Sequence, residues 1–143
     1  MIYTVDLSNA NKITINTSIT FIQNDSYWDR AMNFWLIDSS KLNFAQFYIA
    51  SAVATYTWTR ARIRNAWTVI DWTNIGSIWT ASYTPTLEID LVNKIMTWKI
   101  SWYNNSTYSL TDSDISVIRW LPYLYVYATQ HNFYIQDVSI TVE

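Results

Sequence analysis

Residues 86–103 read TLEIDLVNKIMTWKISWY, and this pattern sets the fold class. Apolar and polar residues alternate along it with the period of two that is typical of a β-strand with one buried face. A two-residue turn at positions 93–94 would place Ile89 opposite Trp98 and make the segment a β-hairpin. A slip of one residue would move charged side chains into the core, so the two faces are well specified. The predicted buried face contains Leu87, Ile89, Leu91, Met96, Trp98, Ile100 and Trp102.

The same alternation recurs along the rest of the chain. It marks residues 3–7, 13–21 and 138–142, and further strands are predicted at 34–38, 44–50, 53–64, 67–72, 78–83 and 123–128. Clusters of Asn, Asp, Ser and Gly predict turns at 8–11, 24–26, 38–40, 74–77, 104–106 and 111–114. No stretch shows a sustained helical period. We therefore predict an all-β fold, a two-sheet antiparallel β-sandwich that is jelly-roll-like and occupies residues 1–143 as a single domain.

Composition limits the classes of function. The chain has 143 residues, 50% of them hydrophobic, so it can bury a core although it contains no cysteine. Only 14% of the residues are charged and the net charge is −2, which gives no basic surplus for nucleic acid. No apolar run is long enough to span a bilayer. A polar, weakly charged surface suits an extracellular or virion-surface location and contact with glycans or other subunits.

The end of the chain resembles a known superfamily. Residues 119–143 read RWLPYLYVYATQHNFYIQDVSITVE, which is similar to the closing strands of concanavalin-like jelly rolls. The last strand of that superfamily is of the type Ile-x-Asp-Val-x-Ile, here residues 135–140, and the hairpin at 87–102 is similar to its central hairpin. The resemblance implies a sandwich with a concave face that often binds glycans or packs in virion and cell-surface assemblies.

The same superfamily includes β-glucanases that carry Glu-x-Asp-x-x-Glu on a strand, and residues 88–93 begin in that way. A retaining glycosidase needs two carboxyl groups about 5–5.5 Å apart, one as nucleophile and one as acid/base. Asn93 replaces the second Glu and cannot act as an acid. We therefore predict no catalytic residue, and we interpret Glu88 as a cross-strand partner of Lys99 that contributes a few tenths to about 1 kcal/mol.

One candidate ligand site is a row of arginines. Arg60, Arg62 and Arg64 alternate along one strand face with Tyr56 and Trp58. Guanidinium groups beside aromatic rings could hold an anionic sugar, a phosphate or a carboxylate. The alternative is a solvated face paired with acidic residues, and the sequence leaves open which side of this strand looks inward.

A second candidate site is a row of tyrosines. Tyr123, Tyr125 and Tyr127 alternate with Leu124 and Val126. If the aliphatic side is core, three phenols stand together on an outer sheet surface, where aromatic rings stack on sugars or anchor partner proteins. The alternative is that these rings pack under a loop or against the second sheet.

Metal and cofactor sites have weaker candidates. Asp112 and Asp114 could offer oxygens to Ca²⁺, but two carboxylates are far from a complete shell, and a local turn explains them equally well. His131 is the single histidine and has no cysteine to join it as a ligand. We predict neither a metal nor a cofactor.

These observations lead to a functional expectation. We expect a non-enzymatic structural or adhesive module of a virion or cell-surface assembly, which contacts partner proteins or glycans through exposed aromatic side chains. The expected partners are further copies of the chain, other assembly subunits and glycans, with no nucleic acid and no membrane insertion. The alternative is a carbohydrate-binding, lectin-like domain.

Overall fold

The fold is seen in a computed structural model, which describes residues 1–22, 30–41, 44–52, 56–63, 69–76, 80–99, 105–128 and 133–143. These residues form antiparallel strands and a short helix. In chain order the elements are β1 (Ile2–Thr4), β2 (Lys12–Ile22), β3 (Arg30–Ile37), β4 (Phe44–Ala52), β5 (Tyr56–Ile63), β6 (Val69–Gly76), β7 (Thr80–Tyr83), β8 (Thr86–Asp90), β9 (Ile95–Lys99), β10 (Ser106–Ser109), α1 (Asp112–Ile118), β11 (Tyr123–Ala128) and β12 (Phe133–Val142).

The strands form two sheets. Sheet one has the order β1-β11-β3-β4-β5-β6, and sheet two has the order β10-β9-β8-β2-β12, with β7 also paired to β2. Every pairing between these strands is antiparallel. The architecture is a β-sandwich of the jelly-roll type, which confirms the predicted fold class. Among the described residues, no helix has the length and apolar character needed to cross a membrane.

The core lies between the two sheets. Phe34 of sheet one and Trp98 of sheet two are both fully buried, and their ring centroids are 5.3 Å apart. Aromatic rings carry large apolar areas, so this pair contributes strongly to the contact between the sheets. The buried residues around it come alternately from each strand, as the predicted period of two requires. They include Ile13, Ile15, Met32, Leu36, Phe47, Leu87, Ile89, Met96, Leu124 and Val126.

The hairpin at β8 and β9 confirms the predicted faces but corrects the predicted register. Ile89 pairs with Met96 rather than with Trp98, because four residues, 91–94, form the loop instead of two. The Asp90 carboxylate accepts hydrogen bonds from the backbone N–H groups of residues 92 and 93, at 3.0 and 2.8 Å, and closes a wider turn. A shift of two residues leaves every side chain on its predicted face. Ile100 and Trp102, also predicted to be core, lie outside the described residues.

The helix α1 corrects the prediction of an entirely strand-like chain. Residues 111–114 were expected to form a turn, but Thr111 is the N-cap of α1 and forms a capping box with Asp114. The Asp114 N–H donates to Thr111 Oγ1 at 3.1 Å, and the Thr111 N–H donates to Asp114 Oδ2 at 2.9 Å. Ile115 and Ile118 are buried on one side of the helix. Two apolar contacts in seven residues are too few to show a helical period in the sequence.

Two further expectations are corrected. The turn predicted at 74–77 is wrong for residues 74–76, which belong to β6, and β10 begins at Ser106, within a predicted turn.

The last strand, β12, contains a β-bulge. Its register against β2 shifts between Gln136 and Ser139, and Asp137 has a positive φ of 52°. This bulge brings Ile135, Val138 and Ile140 to the same, partly buried side. It explains the unequal spacing of the Ile-x-Asp-Val-x-Ile segment.

Candidate functional site

The outer face of sheet one carries the predicted tyrosine row. Leu124 and Val126 of β11 are buried, with relative exposures of 0% and 1%. Because side chains alternate along a strand, Tyr123, Tyr125 and Tyr127 lie on the opposite, outer face, and all three are partly exposed. The structure therefore favours the first of the two interpretations of this row, in which the phenols stand on the outer surface of a sheet.

Cross-strand pairing extends this surface over the neighbouring strands. Tyr125 lies opposite Trp35 of β3, and Trp35 lies opposite Gln46 of β4. Residues directly opposite each other share a face with their Cβ atoms about 4.5–5.5 Å apart. We define the aromatic face by seven described side chains on these three strands: Tyr123, Tyr125, Tyr127, Asn33, Trp35, Phe44 and Gln46. Asn33 and Phe44 are buried, as is Ile37, which lies on the same side of the sheet between Tyr123 and Phe44.

Trp35 is the centre of the aromatic face. Its ring lies 5.9 Å from Phe44 in an edge-to-face contact and 6.3 Å from Tyr127 in a tilted contact. Both distances fall in the range in which aromatic pairs stabilise each other. The indole side chain is partly exposed, whereas its Nε1 atom is buried and has no hydrogen-bond partner. Trp35 therefore presents carbon surface, and its polar atom faces inward.

An amide pair adds polar groups to the aromatic face. Gln46 Nε2 donates to Asn33 Oδ1 at 2.6 Å. Asn33 is 1% exposed, whereas Gln46 is partly exposed. The buried amide holds the exposed one in place, so a ligand would meet an oriented hydrogen-bonding group beside the rings.

The described side chains of the aromatic face carry no formal charge. Burial raises the pKa of the Tyr127 phenol above its usual value, so this hydroxyl stays neutral at physiological pH. Such a surface offers apolar rings, hydroxyl groups and amides. This combination suits a ligand that is itself polar but uncharged.

Two positions of the arginine row, 60 and 62, lie on β5, the strand next to β4 of the aromatic face. In the pairing of β4 with β5, Ala61 lies opposite buried Phe47, while Arg62 lies opposite Gln46 and Arg60 opposite Tyr48. The register therefore assigns positions 60 and 62 to the same face of sheet one as Gln46. The side chains of Tyr56, Trp58, Arg60 and Arg62, and the whole of Arg64, lie outside the described residues.

The sequence did not indicate four members of this surface. Trp35, Phe44, Asn33 and Gln46 were not predicted as site residues. Trp35 stands in the run Phe34–Ile37, in which every residue is apolar, so alternation gives no information about which side is buried. Only pairing with β11, whose faces are clear, identifies the outer side chains of β3.

The carboxylates of the glucanase-like segment have structural roles. Glu88 lies on the outer face of sheet two, 2.9 Å from Lys99 Nζ and 3.4 Å from Lys12 Nζ. The hydrogen bond from Lys99 and the charges of both lysines hold the pKa of Glu88 below its usual value, although partial burial opposes this. An ionised carboxylate cannot act as a general acid. The predicted Glu88–Lys99 contact is confirmed, and Lys12 is an additional partner that was not predicted.

The candidate calcium ligands have other partners. Asp114 takes part in the capping box of α1, and Asp112 forms an ion pair with Lys94. Within the described ranges no three carboxylate or imidazole side chains are close enough to hold a metal ion. His131 lies outside the described residues.

Comparison with known proteins identifies the fold but no sequence relative. No protein-family profile and no curated protein matches the sequence. Sheep galectin-11, solved with glycerol, is similar in structure with a TM-score of 0.65 and 4% identity, over 99% of this chain and 96% of the galectin. The CBM2 module of the evolved Dit of Lactobacillus casei BL23 phage J-1 has a TM-score of 0.69 and 9% identity, over 97% of this chain and 66% of that one. Alginate lyase A1-II′ has a TM-score of 0.67 and 10% identity, over 97% of this chain and 65% of the lyase. These similarities show the fold, a β-sandwich like that of the galectins, which is the fold that the resemblance implied.

Proposed function

We propose that this chain is a non-enzymatic adhesive module that binds glycans through the aromatic face. The observation that carries the proposal is the continuity of Tyr125, Trp35 and Gln46 across three adjacent strands. Sugar rings have apolar C–H faces that pack on aromatic rings and hydroxyl groups that bond to amides and phenols. The uncharged character of the described side chains favours a neutral glycan. We also propose that Arg60 and Arg62, on the neighbouring strand β5, would bind the acidic groups of a charged glycan.

The solved structures with the same fold support this proposal. Galectins and a carbohydrate-binding module are among them. The phage Dit module also supports an extracellular or virion-surface setting. In that setting, assembly with further copies of the chain has a physical purpose. A shallow face on a sheet binds a sugar weakly, and several linked copies raise the overall affinity by a factor of about 10²–10⁴.

The absence of catalysis is part of the proposal. Alginate lyase shares the fold, so the fold alone is compatible with an enzyme. Glu88 is held as an ion-paired carboxylate, and the Asp90 carboxylate bonds to its own loop. We expect no release of reducing ends from β-glucans and no unsaturated product from alginate. Activity on either polymer would contradict the proposal. Loss of that activity in Glu88→Gln would assign it to the Glu88 carboxylate.

A glycan array with matched variants tests binding. Tyr125→Ala removes a ring from the aromatic face, and Tyr125→Phe keeps the ring without its hydroxyl. Thr107→Ala, on exposed β10 of the other sheet, is the control. We expect Tyr125→Ala to lower affinity for the bound glycan about three- to tenfold, Tyr125→Phe to lower it less, and the control to bind normally.

Two results would contradict glycan binding at this face. One is the absence of binding to every glycan by the wild-type chain. The other is unchanged binding by Tyr125→Ala when its circular dichroism spectrum matches that of the wild type. Light scattering would show whether the chain associates with itself.

A further inference from the structure

A second exposed aromatic side chain lies at one end of the sandwich. α1 ends at Ile118, and residues 119–122 lead from it to β11. Trp120 lies in this connection with 75% of its surface exposed, more than any other large hydrophobic side chain whose burial the structure describes. Its indole therefore adds almost nothing to the core. The aromatic face does not include this residue.

The connection that carries Trp120 is firmly held. Its neighbours Ile118 and Leu121 are 0% and 1% exposed. The Trp120 N–H donates to the carbonyl of Val117 at 3.2 Å, and the Leu121 N–H donates to that of Ile118 at 3.2 Å. The backbone at Trp120 is thus held between two buried neighbours, so a ligand that binds there loses little by ordering the loop.

Arg119 fastens the same connection to the β1–β2 loop. Its Nη1 atom lies within hydrogen-bond distance of three backbone carbonyl oxygens, at 2.9–3.3 Å. A guanidinium group is suited to this role because it presents several donors in a fixed plane. The three carbonyl groups belong to Leu7, Ser8 and Ala10.

Two hollows flank the Trp120 side chain. One has a volume of about 320 Å³ and contains Asp38 and Ser116, and the other has a volume of about 250 Å³ and contains Asp6 and Ser8. Each hollow thus combines the indole with one carboxylate and one hydroxyl group. Ligand pockets usually have volumes of roughly 300–1,000 Å³, so the larger hollow lies at the lower end of that range and the smaller one just below it, which suits a small molecule.

The carboxylate in the smaller hollow is oriented by its neighbour. The Ser8 hydroxyl donates to Asp6 Oδ1 at 2.6 Å, and the Ser8 N–H donates to the same oxygen at 3.1 Å. An ionised carboxylate has about four lone-pair sites, so these two bonds leave capacity for a ligand hydroxyl. Arg119 also lines this hollow, where its Nη1 atom bonds to the backbone carbonyl groups of the β1–β2 loop.

The surroundings of Trp120 favour a sugar over a protein partner. Protein interfaces are centred on a broad apolar patch with a polar rim. Here one exposed ring is bordered by two carboxylates and two hydroxyl groups, together with the aliphatic residues Val5, Leu7, Val117, Leu121 and Pro122. Val5, Leu7 and Leu121 are buried, so these residues do not form a broad exposed apolar patch. One exposed indole face matches the apolar face of one sugar ring, and the flanking carboxylates match its hydroxyl groups as acceptors.

We propose that Trp120 forms a second saccharide site, in which a sugar ring stacks on the indole and donates hydroxyl hydrogen bonds to Asp38 or Asp6. This site goes beyond the function proposed for the aromatic face and does not require it. A chain with two separate sugar sites could hold two parts of one glycan or cross-link two glycans.

Nuclear magnetic resonance tests the second site with defined probes. The indole N–H signal of Trp120 is assigned from Trp120→Phe, and the wild-type chain is titrated with glucose, galactose, mannose and N-acetylglucosamine. We expect a saturable shift of this signal with at least one sugar at millimolar concentration. The same shift should persist in Tyr125→Ala and in the control Thr107→Ala, which truncates an exposed side chain on β10 of sheet two.

The variants separate this site from the aromatic face. We expect Asp38→Asn or Asp6→Asn to weaken the sugar bound at Trp120 at least threefold, with an unchanged circular dichroism spectrum. If none of the four sugars shifts the Trp120 signal, the second site is refuted while the aromatic face is not. If lysine methyl ester shifts it and the sugars do not, the site binds a cationic partner and the proposal is wrong. Loss of the shift in Tyr125→Ala would refute two separate sites.

Discussion

Trp98→Phe tests how the two sheets are held together. Trp98 is fully buried, and its ring centroid lies 5.3 Å from that of Phe34 on the opposite sheet. Its indole Nε1 atom is also buried, without a hydrogen-bond partner. Phe keeps an aromatic ring against Phe34 and removes the unpaired N–H group. The substitution therefore has one destabilising and one stabilising effect.

The two effects nearly cancel. Phe has three fewer side-chain heavy atoms than Trp, which at about 0.8 kcal/mol for each buried carbon corresponds to about 2 kcal/mol. Burial of an unpaired polar group costs about 1–3 kcal/mol, which the substitution recovers. We therefore expect the unfolding free energy of Trp98→Phe to lie within about 1 kcal/mol of the wild-type value, in either direction. Trp98→Ala leaves a large cavity and should lose about 3–5 kcal/mol.

Urea unfolding followed by far-ultraviolet circular dichroism measures both values. The comparison is valid if the slope of the free energy against urea concentration is the same in all three proteins. A loss for Trp98→Phe that equals that of Trp98→Ala would refute the reasoning. It would mean that the indole N–H is paired in solution, or that Trp98 does not pack between the sheets.

Three further changes test local interactions. Glu88→Gln should lower the unfolding free energy by about 0.5 kcal/mol at neutral pH. Because the pKa of Glu88 is lowered in the folded state, its stabilising contribution is present above the ordinary glutamate pKa and is lost as pH falls through the folded pKa. The urea midpoints of the wild type and Glu88→Gln should therefore converge in acid. Thr111→Ala should cost about 1 kcal/mol through loss of the helix cap, whereas exposed Thr107→Ala should leave the thermal midpoint nearly unchanged, and equal effects would contradict the capping role. Lys94→Gly should be about 1 kcal/mol more stable than Lys94→Ala, because φ is 59° at this position and a positive φ costs glycine less than alanine. Both variants lose the same ion pair with Asp112, so that loss cancels in the comparison. Equal unfolding free energies would show that the backbone is unstrained.

The predictions from sequence succeeded where a strand had one apolar and one polar side. In β8 and β9 each described side chain lies on the face that the alternation predicted, and the Glu88–Lys99 contact follows from that arrangement. In β11 the alternation separated the two faces but did not decide which of them is buried. The predicted hairpin register differed from the observed one by two residues. The turn length depends on the hydrogen bonds of the Asp90 side chain, and a shift of two residues leaves the alternation of faces unchanged. The helix was missed because its cap and its core contacts involve few residues.

Alternation of apolar and polar residues was sufficient for the all-β class and the sandwich, since a period of two is a local property of the chain. It also showed that the three tyrosines share one face, but it left open whether that face is the outer one. It could not reveal that the tyrosine row, Trp35 and positions 60 and 62 of the arginine row belong to one sheet, because that depends on which strands pair. Residues 33 and 125 are far apart in the chain, and β11 lies beside β3 only after the sheets close over a shared core. The exposed position of Trp120 has the same origin: its buried neighbours are set by packing at the end of the sandwich, and no local pattern records that packing.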